Sequence, residues 1–247
     1  MALYSDEHII IYFGDSSDQL GVSSTVYDQY HTQKQLIAIK PFNSLQAELE
    51  INHLVFPRQV HGKQGIVIDN STLHAINPFE VDGDYIVTNI PHIGLGILTA
   101  DCLPIILYDT QNHVITAIHA GWRSSVQKIV VHALQRMHNL YETKPINVRV
   151  FFGPCARACC YSVGPDMIQA VAPHQDQVFR IENNQRYLDL IEYNKLLLES
   201  EGVATESFCS DYAQCTICNS TFWSYRRQQN RAGRQMTVVA LKQSSSV

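Results

Sequence analysis

The sequence predicts a single α/β domain of mixed, largely antiparallel sheets with helices packed outside. Three observations predict it. Short apolar runs rich in Ile, Val, Tyr and Phe recur along the chain, each bounded by Gly, Pro, Asn or Asp, as strands are. From residue 54 to 118 these runs follow one another without the intervening helices of a doubly wound parallel sheet. No repeat or low-complexity linker divides the 247 residues, of which 45% are hydrophobic, enough for one large core.

The elements follow in order. Residues 8–13 and 36–40 read as strands. A helix spans 44–52, with Ser44 as its cap. Strands 54–60 and 65–68 flank His61-Gly62, and strands 85–89, 94–99, 105–108 and 114–118 come next. A helix over 124–140 carries Val126, Ile129, Val130, Ala133, Leu134 and Met137 at helical spacing. Strands 147–152 and 177–181 precede a helix over 190–200, which has Asp189 as cap and Gly202 as stop. The last strand is 236–241, and the serine-containing tail 243–247 is expected to fray.

With Lys+Arg 18 against Asp+Glu 23, the formal charge is −5. A mildly acidic chain lacks the clustered basic surface that phosphate backbones require, so no nucleic-acid partner is expected. The one dense basic stretch, Arg226, Arg227, Arg231 and Arg234, is too short to reverse that. The opening residues have no basic leader, and no run reaches the ~18 apolar residues of a membrane helix. A cytoplasmic protein with no membrane partner is expected, with the oligomeric state left open and a monomer as the simplest case. In a reducing compartment the seven Cys are expected as thiols, ligands or nucleophiles.

Reactive side chains gather where apolar strands end, in Arg58-Gln59-Val60-His61-Gly62, Leu98-Thr99-Ala100-Asp101-Cys102-Leu103-Pro104 and Ala117-Ile118-His119-Ala120-Gly121-Trp122-Arg123. His61, Cys102 and His119 are too far apart in sequence for a zinc finger. If the strand ends converge, they offer two imidazoles and a thiolate, a donor set for Zn²⁺ with one position open. The same residues also allow Cys102 as a nucleophile, His119 as its base and Asp101 as the carboxylate orienting that base.

Gln59-Val60-His61-Gly62, Thr99-Ala100-Asp101-Cys102-Leu103-Pro104 and His119-Ala120-Gly121-Trp122-Arg123, in this order, resemble the YfiH family. Its members are also labelled laccase-like multicopper polyphenol oxidoreductases, purine nucleoside phosphorylases and peptidoglycan editing factors. Gly83-Asp84, Gly153-Pro154-Cys155 with Cys159-Cys160-Tyr161, Phe222 to Arg227, and Leu20-Gly21-Val22-Ser23-Ser24 add to the likeness. Ser124 and Ser162 depart from the family pattern, as does Ala156-Arg157-Ala158.

The resemblance implies a four-layer αββα sandwich related to the catalytic domain of cytotoxic necrotizing toxins. It implies zinc on His61, Cys102 and His119, with copper as a possible substitute. It also implies phosphorolysis of adenosine, inosine, guanosine and methylthioadenosine, with adenosine deamination as a companion activity.

Arg123 is the first candidate for phosphate, as a guanidinium at the start of a helix, and Arg58 the second. Gln59 is a candidate donor to base or ribose, and Tyr225 a residue that reaches the pocket. Trp122 reads either as a stacking platform or as packing. Cys155 and Cys160 read as thiols packed around the pocket, and Cys215-x-x-Cys218 has no evident partner pair. Three other readings stay open: a cell-wall editing hydrolase with Cys102 as nucleophile, a copper-dependent polyphenol oxidase, although the sequence has no His-x-His pair, and a catalytically silent protein that uses the fold to bind a nucleotide-like ligand.

Overall fold

A computed structural model describes residues 1–18, 40–73, 79–171 and 175–243. The strands are β1 (Ala2–Ser5), β2 (Ile9–Phe13), β3 (His53–Val55), β4 (Gly65–Val67), β5 (Tyr85–Thr88), β6 (Ile93–Thr99) and β7 (Leu103–Asp109). They continue with β8 (Val114–Ala120), β9 (Val148–Phe152), β10 (Phe179–Glu182), β11 (Gln185–Leu188), β12 (Phe208–Cys209) and β13 (Gln235–Leu241). The helices are α1 (Lys40–Glu48), α2 (Trp122–Val126), α3 (Ile129–Tyr141), α4 (Pro165–Ala170), α5 (Gln175–Val178), α6 (Leu190–Ser200) and α7 (Tyr225–Gln228).

Two sheets carry the molecule. One has the order β1-β2-β13-β6-β3, the other β12-β9-β7-β8-β5-β4. Pairing is antiparallel except for β3 with β6, β4 with β5 and β12 with β9. Alternation along the strands then sorts side chains into three apolar layers. In β7, Leu103, Ile105 and Leu107 face a cluster with Ile129, Leu134 and Met137 of α3 and Leu197 and Leu198 of α6. Ile106 and Tyr108 face the other way and meet Ile9, Ile11, Leu95 and Ile97 of the opposing sheet. Beyond that sheet, Leu98, Val238 and Ala240 pack against Phe42 and Leu45 of α1. The result is helix, sheet, sheet, helix. Gly96 permits the outermost contact: a Cβ there would lie 2.4 Å from the Phe56 ring.

Local signals were read best where they were complete. Helix α6 starts where expected because the Asp189 carboxylate accepts from Ile191 and Glu192 N–H, at 3.0 and 3.1 Å. The helix expected over 124–140 is two helices. Lys128, at φ 60°, breaks it between α2 and α3. The helix expected from Ser44 starts at Lys40, so Ser44 lies inside it and is not its cap.

The strand expected at 54–60 stops at Val55, and the chain beyond makes only a bridge from Arg58 to Asp82. Residues 177–181 are divided between α5 and β10. The strand expected at 36–40 lies outside the described residues apart from Lys40, as do Leu20 to Ser24 and 244–247 of the tail. No helix among the described residues is long and apolar enough to cross a membrane.

Candidate functional site

Sheet register builds the site. Antiparallel pairing sets Tyr85 against Ile118, which brings Asp84 beside His119; the His119 N–H donates to the Asp84 carbonyl at 2.8 Å. Pairing of β7 with β8 sets Leu103 against Ala120, which brings Cys102 beside Gly121. Gly121 has to be small, because a Cβ there would lie 3.0 Å from Cys102 Sγ and 3.3 Å from the His61 ring.

His61 arrives from the loop after β3 in a left-handed conformation, φ 59°. The Asp84 carboxylate holds that loop. Oδ1 accepts from His61 N–H at 2.9 Å, and Oδ2 from Gly62 and Val60 N–H at 2.6 and 3.3 Å. Oδ1 also accepts from His119 Nδ1 at 2.8 Å, which leaves His119 Nε2 as the free ring nitrogen.

The three expected side chains converge. The ligand atoms of His61, Cys102 and His119 all lie within 4.8 Å of one another, with Cys102 Sγ 3.9 Å from His61 Nε2. The imidazoles cross at 78° with centroids 4.8 Å apart. Burial pushes the Cys102 thiol up, but the imidazoles of His119 and His61 outweigh it and bring it down to about 6. Burial works against charge on His119 too, yet Cys102 and Asp84 raise it to about 9. A thiolate and two imidazoles, one oriented by a buried carboxylate, fit an ion held ~2.0–2.3 Å from each donor.

The three lie on the floor of a cleft of about 720 Å³. Its walls include Trp122, Arg123, Tyr161, Tyr225, Arg226 and Arg234. The Arg123 guanidinium lies over the Trp122 ring, 4.6 Å from its centroid. Helix α2 has only five residues, so attraction for an anion rests on the wall guanidiniums, Arg123 among them, and not on a helix end. Tyr225 is half-exposed on the wall, as expected.

Other expected residues are placed differently. Arg58 is not among the cleft residues; its Nε pairs with Asp82 Oδ1 at 2.5 Å on the surface. Gln59 lines the cleft, but its amide is engaged by the backbone of Leu98, donating at 2.7 Å and accepting at 2.8 Å. Asp101 turns its carboxylate away from His119, accepting from Thr216 Oγ1, Ser224 Oγ and Arg226 N–H at 2.6, 3.0 and 2.5 Å. The orienting carboxylate is Asp84, because sheet register and not chain proximity decides which acid meets the imidazole. Sequence reasoning picks out Gly83-Asp84 only as a motif and assigns its carboxylate no role. Tyr161 and Arg226, whose guanidinium lies 5.1 Å from the Tyr161 ring centroid, are further wall residues it missed.

A family model described as multi-copper polyphenol oxidoreductase laccase matches residues 17–242. The chain belongs to this family. A protein of Deinococcus radiodurans named purine nucleoside phosphorylase is 34% identical over 187 residues, 74% of this chain and 68% of that protein. A protein of unknown prokaryotic origin named adenosine deaminase RL5 is 29% identical, over 81% of this chain and 79% of its own length. The crystal structure of Bacillus licheniformis YfiH superposes with a TM-score of 0.75 at 25% identity, over 83% of this chain and 80% of that one. The oxidoreductase family thus includes the YfiH-type fold that the motifs resemble. Its label names several coppers. Among the described residues, however, the groups able to hold a metal are the His61–Cys102–His119 set and a cluster of four cysteines, with no His-rich centre.

Proposed function

We propose that this chain is a zinc-dependent purine nucleoside phosphorylase of the cytoplasm that also deaminates adenosine. Its substrates are adenosine, inosine, guanosine and methylthioadenosine, with inorganic phosphate. The convergence of His61, Cys102 and His119 beneath Arg123 and the rings of Trp122, Tyr161 and Tyr225 carries this reading.

His61, Cys102 and His119 would hold the zinc, which would supply a Lewis acid for polarising an oxygen in the cleft. The protein's own groups do the rest. Arg123, on the cleft wall, is the group that would hold phosphate through charge-assisted hydrogen bonds. The aromatic rings offer faces for the purine. A phosphate oxygen bonds to C1′ as the C1′–N9 bond breaks, and the electron pair leaves with the base, which takes up a proton. Holding phosphate and nucleoside together removes most of the entropic barrier to that encounter. Asp84 keeps His119 in the tautomer whose Nε2 faces the cleft.

One observation favours a second reading. Cys102, His119 and Asp84 stand in the relation of nucleophile, base and orienting carboxylate, as a cell-wall hydrolase acting through a thiolate requires. That reading leaves His61 with no part, whereas a metal uses both imidazoles.

Purified protein incubated with adenosine, with and without phosphate, tests the proposal. Adenine and ribose 1-phosphate that appear only with phosphate, and inosine that appears without it, are expected. No turnover of any purine nucleoside by zinc-loaded protein would overturn it.

A further inference from the structure

Away from the cleft floor lies a second set of donors. Cys159, Cys160, Cys215 and Cys218 place their sulfurs within 4.8 Å of one another, and all are free thiols. Cys218 is 59 residues from Cys159 in sequence, with the two sulfurs 3.9 Å apart. We propose that these four cysteines bind a structural zinc ion, separate from the His61–Cys102–His119 centre, that staples the loop after β9 to the loop before α7.

The spacing selects the occupant. A disulfide needs sulfurs ~2.05 Å apart and pairs only two of them. Zinc at ~2.3 Å from each of four tetrahedral thiolates sets them ~3.8 Å apart, close to the observed 3.9 Å. An iron–sulfur cluster has an inorganic core of its own and spreads its four cysteines wider than a single ion does.

The backbone is prepared for the ion. Cys155 N–H donates to the Gln214 carbonyl at 3.0 Å and Thr216 N–H to the Cys155 carbonyl at 2.9 Å, which puts the two loops side by side.

Charge agrees as well. Four thiolates around a dication leave a net dianion, and three guanidiniums bind the backbone of the loops that carry the cysteines, Arg180 while also paired with Glu182 at 2.6 Å. Arg180 donates to the carbonyls of Ala158 and Cys159 at 2.8 and 3.2 Å. Arg227 donates to those of Thr216 and Ile217 at 2.8 and 2.7 Å, and Arg157 to that of Ala213. The staple bears on the cleft, since Tyr161 follows Cys160 directly and Thr216 follows Cys215 to bind Asp101. On binding, the four thiols release their protons to solvent, with no change in oxidation state.

The test is metal content of the full chain, purified reduced and without chelator. Replacing both Cys215 and Cys218 by Ser should remove one zinc per chain, whatever the His61–Cys102–His119 centre holds, while His61→Ala should leave that zinc in place. A second measurement needs no change in the cluster. In Cys102→Ala protein loaded with Co²⁺, intense thiolate-to-cobalt charge-transfer absorption should persist, because the four-cysteine set is untouched and the other two cysteines, Cys155 and Cys209, belong to no metal-holding group among the described residues. Metal content unchanged by the double replacement, iron with acid-labile sulfide, a native mass lowered by disulfide formation, or no thiolate–cobalt absorption in the Cys102→Ala protein would each overturn the proposal. Failure of purine turnover with the cysteine-bound zinc intact would count only against the catalytic reading.

Discussion

Replacing Asp84 by Asn tests the organisation of the metal centre most directly. The buried carboxylate spends Oδ1 on His119 Nδ1 and His61 N–H, and Oδ2 on Val60 and Gly62 N–H. An amide has the same shape, but one of its two ends is a donor. Whichever way it turns, two donors then face a donor. A buried polar group left unpaired costs about 1–3 kcal/mol, so metal-free protein should lose ~2–6 kcal/mol of stability.

If the amide nitrogen faces His119, the imidazole must switch tautomer and place its proton on Nε2. If it faces Gly62, the His61 loop must move. Either way zinc affinity should fall ~10–100-fold, the usual effect of losing a ligand's orienting partner.

Asp84 also sets a pH dependence. Burial raises its pKa, but the His119 imidazole and the loop N–H groups outweigh burial and hold it below the ordinary carboxylate range. A group depressed on folding stabilises above its unfolded pKa of about 3.9 and loses that contribution as pH falls through the folded value. Metal-free wild type should therefore lose stability below about pH 4, and Asp84→Asn should lose less of it there. Chelator competition for zinc and urea unfolding across pH are the assays. Wild-type zinc affinity and stability in Asp84→Asn would refute the organising role.

Removing Cys102 as Cys102→Ala should lower zinc affinity by more than the ~10–100-fold of an orienting residue and abolish purine turnover with it; full zinc with lost turnover would instead make the thiolate a nucleophile. Arg123→Ala should raise KM for phosphate about 10–100-fold, the equivalent of one or two charge-assisted bonds, with Tm unchanged, and a phosphate titration decides it. Gly121→Ala places a methyl against Cys102 Sγ and His61, and should cost ~1–3 kcal/mol of overpacking together with weaker zinc binding. An unaltered chelator-competition curve for that variant would show that the ligands do not need the close approach.

How much could be read beforehand depends on the range of each signal. Helix α6 needs only Asp189, its apolar period and Gly202, all within a dozen or so residues, and it falls where expected. The break at Lys128 is missed because the apolar period continues through it; the left-handed turn re-aims Trp122 and Arg123 toward the cleft while α3 lies on the sheet. Arg58 and Gln59 are side chains of suitable chemistry beside a true ligand, yet Asp82 and the Leu98 backbone engage them. Cys215 and Cys218 lack a partner pair in sequence because Cys159 and Cys160 approach them only through folding.

By itself the sequence determined the layer chemistry and the donor types. Short, nearly continuous apolar runs specify sheets buried on both faces, and a His, a Cys and a His at the ends of such runs specify what a metal could find. Only the tertiary structure decided which carboxylate orients the imidazole, which arginines line the cleft and which cysteines meet. Periodicity and capping act within a turn or a strand, while these pairings depend on antiparallel register and loop closure between residues tens of positions apart.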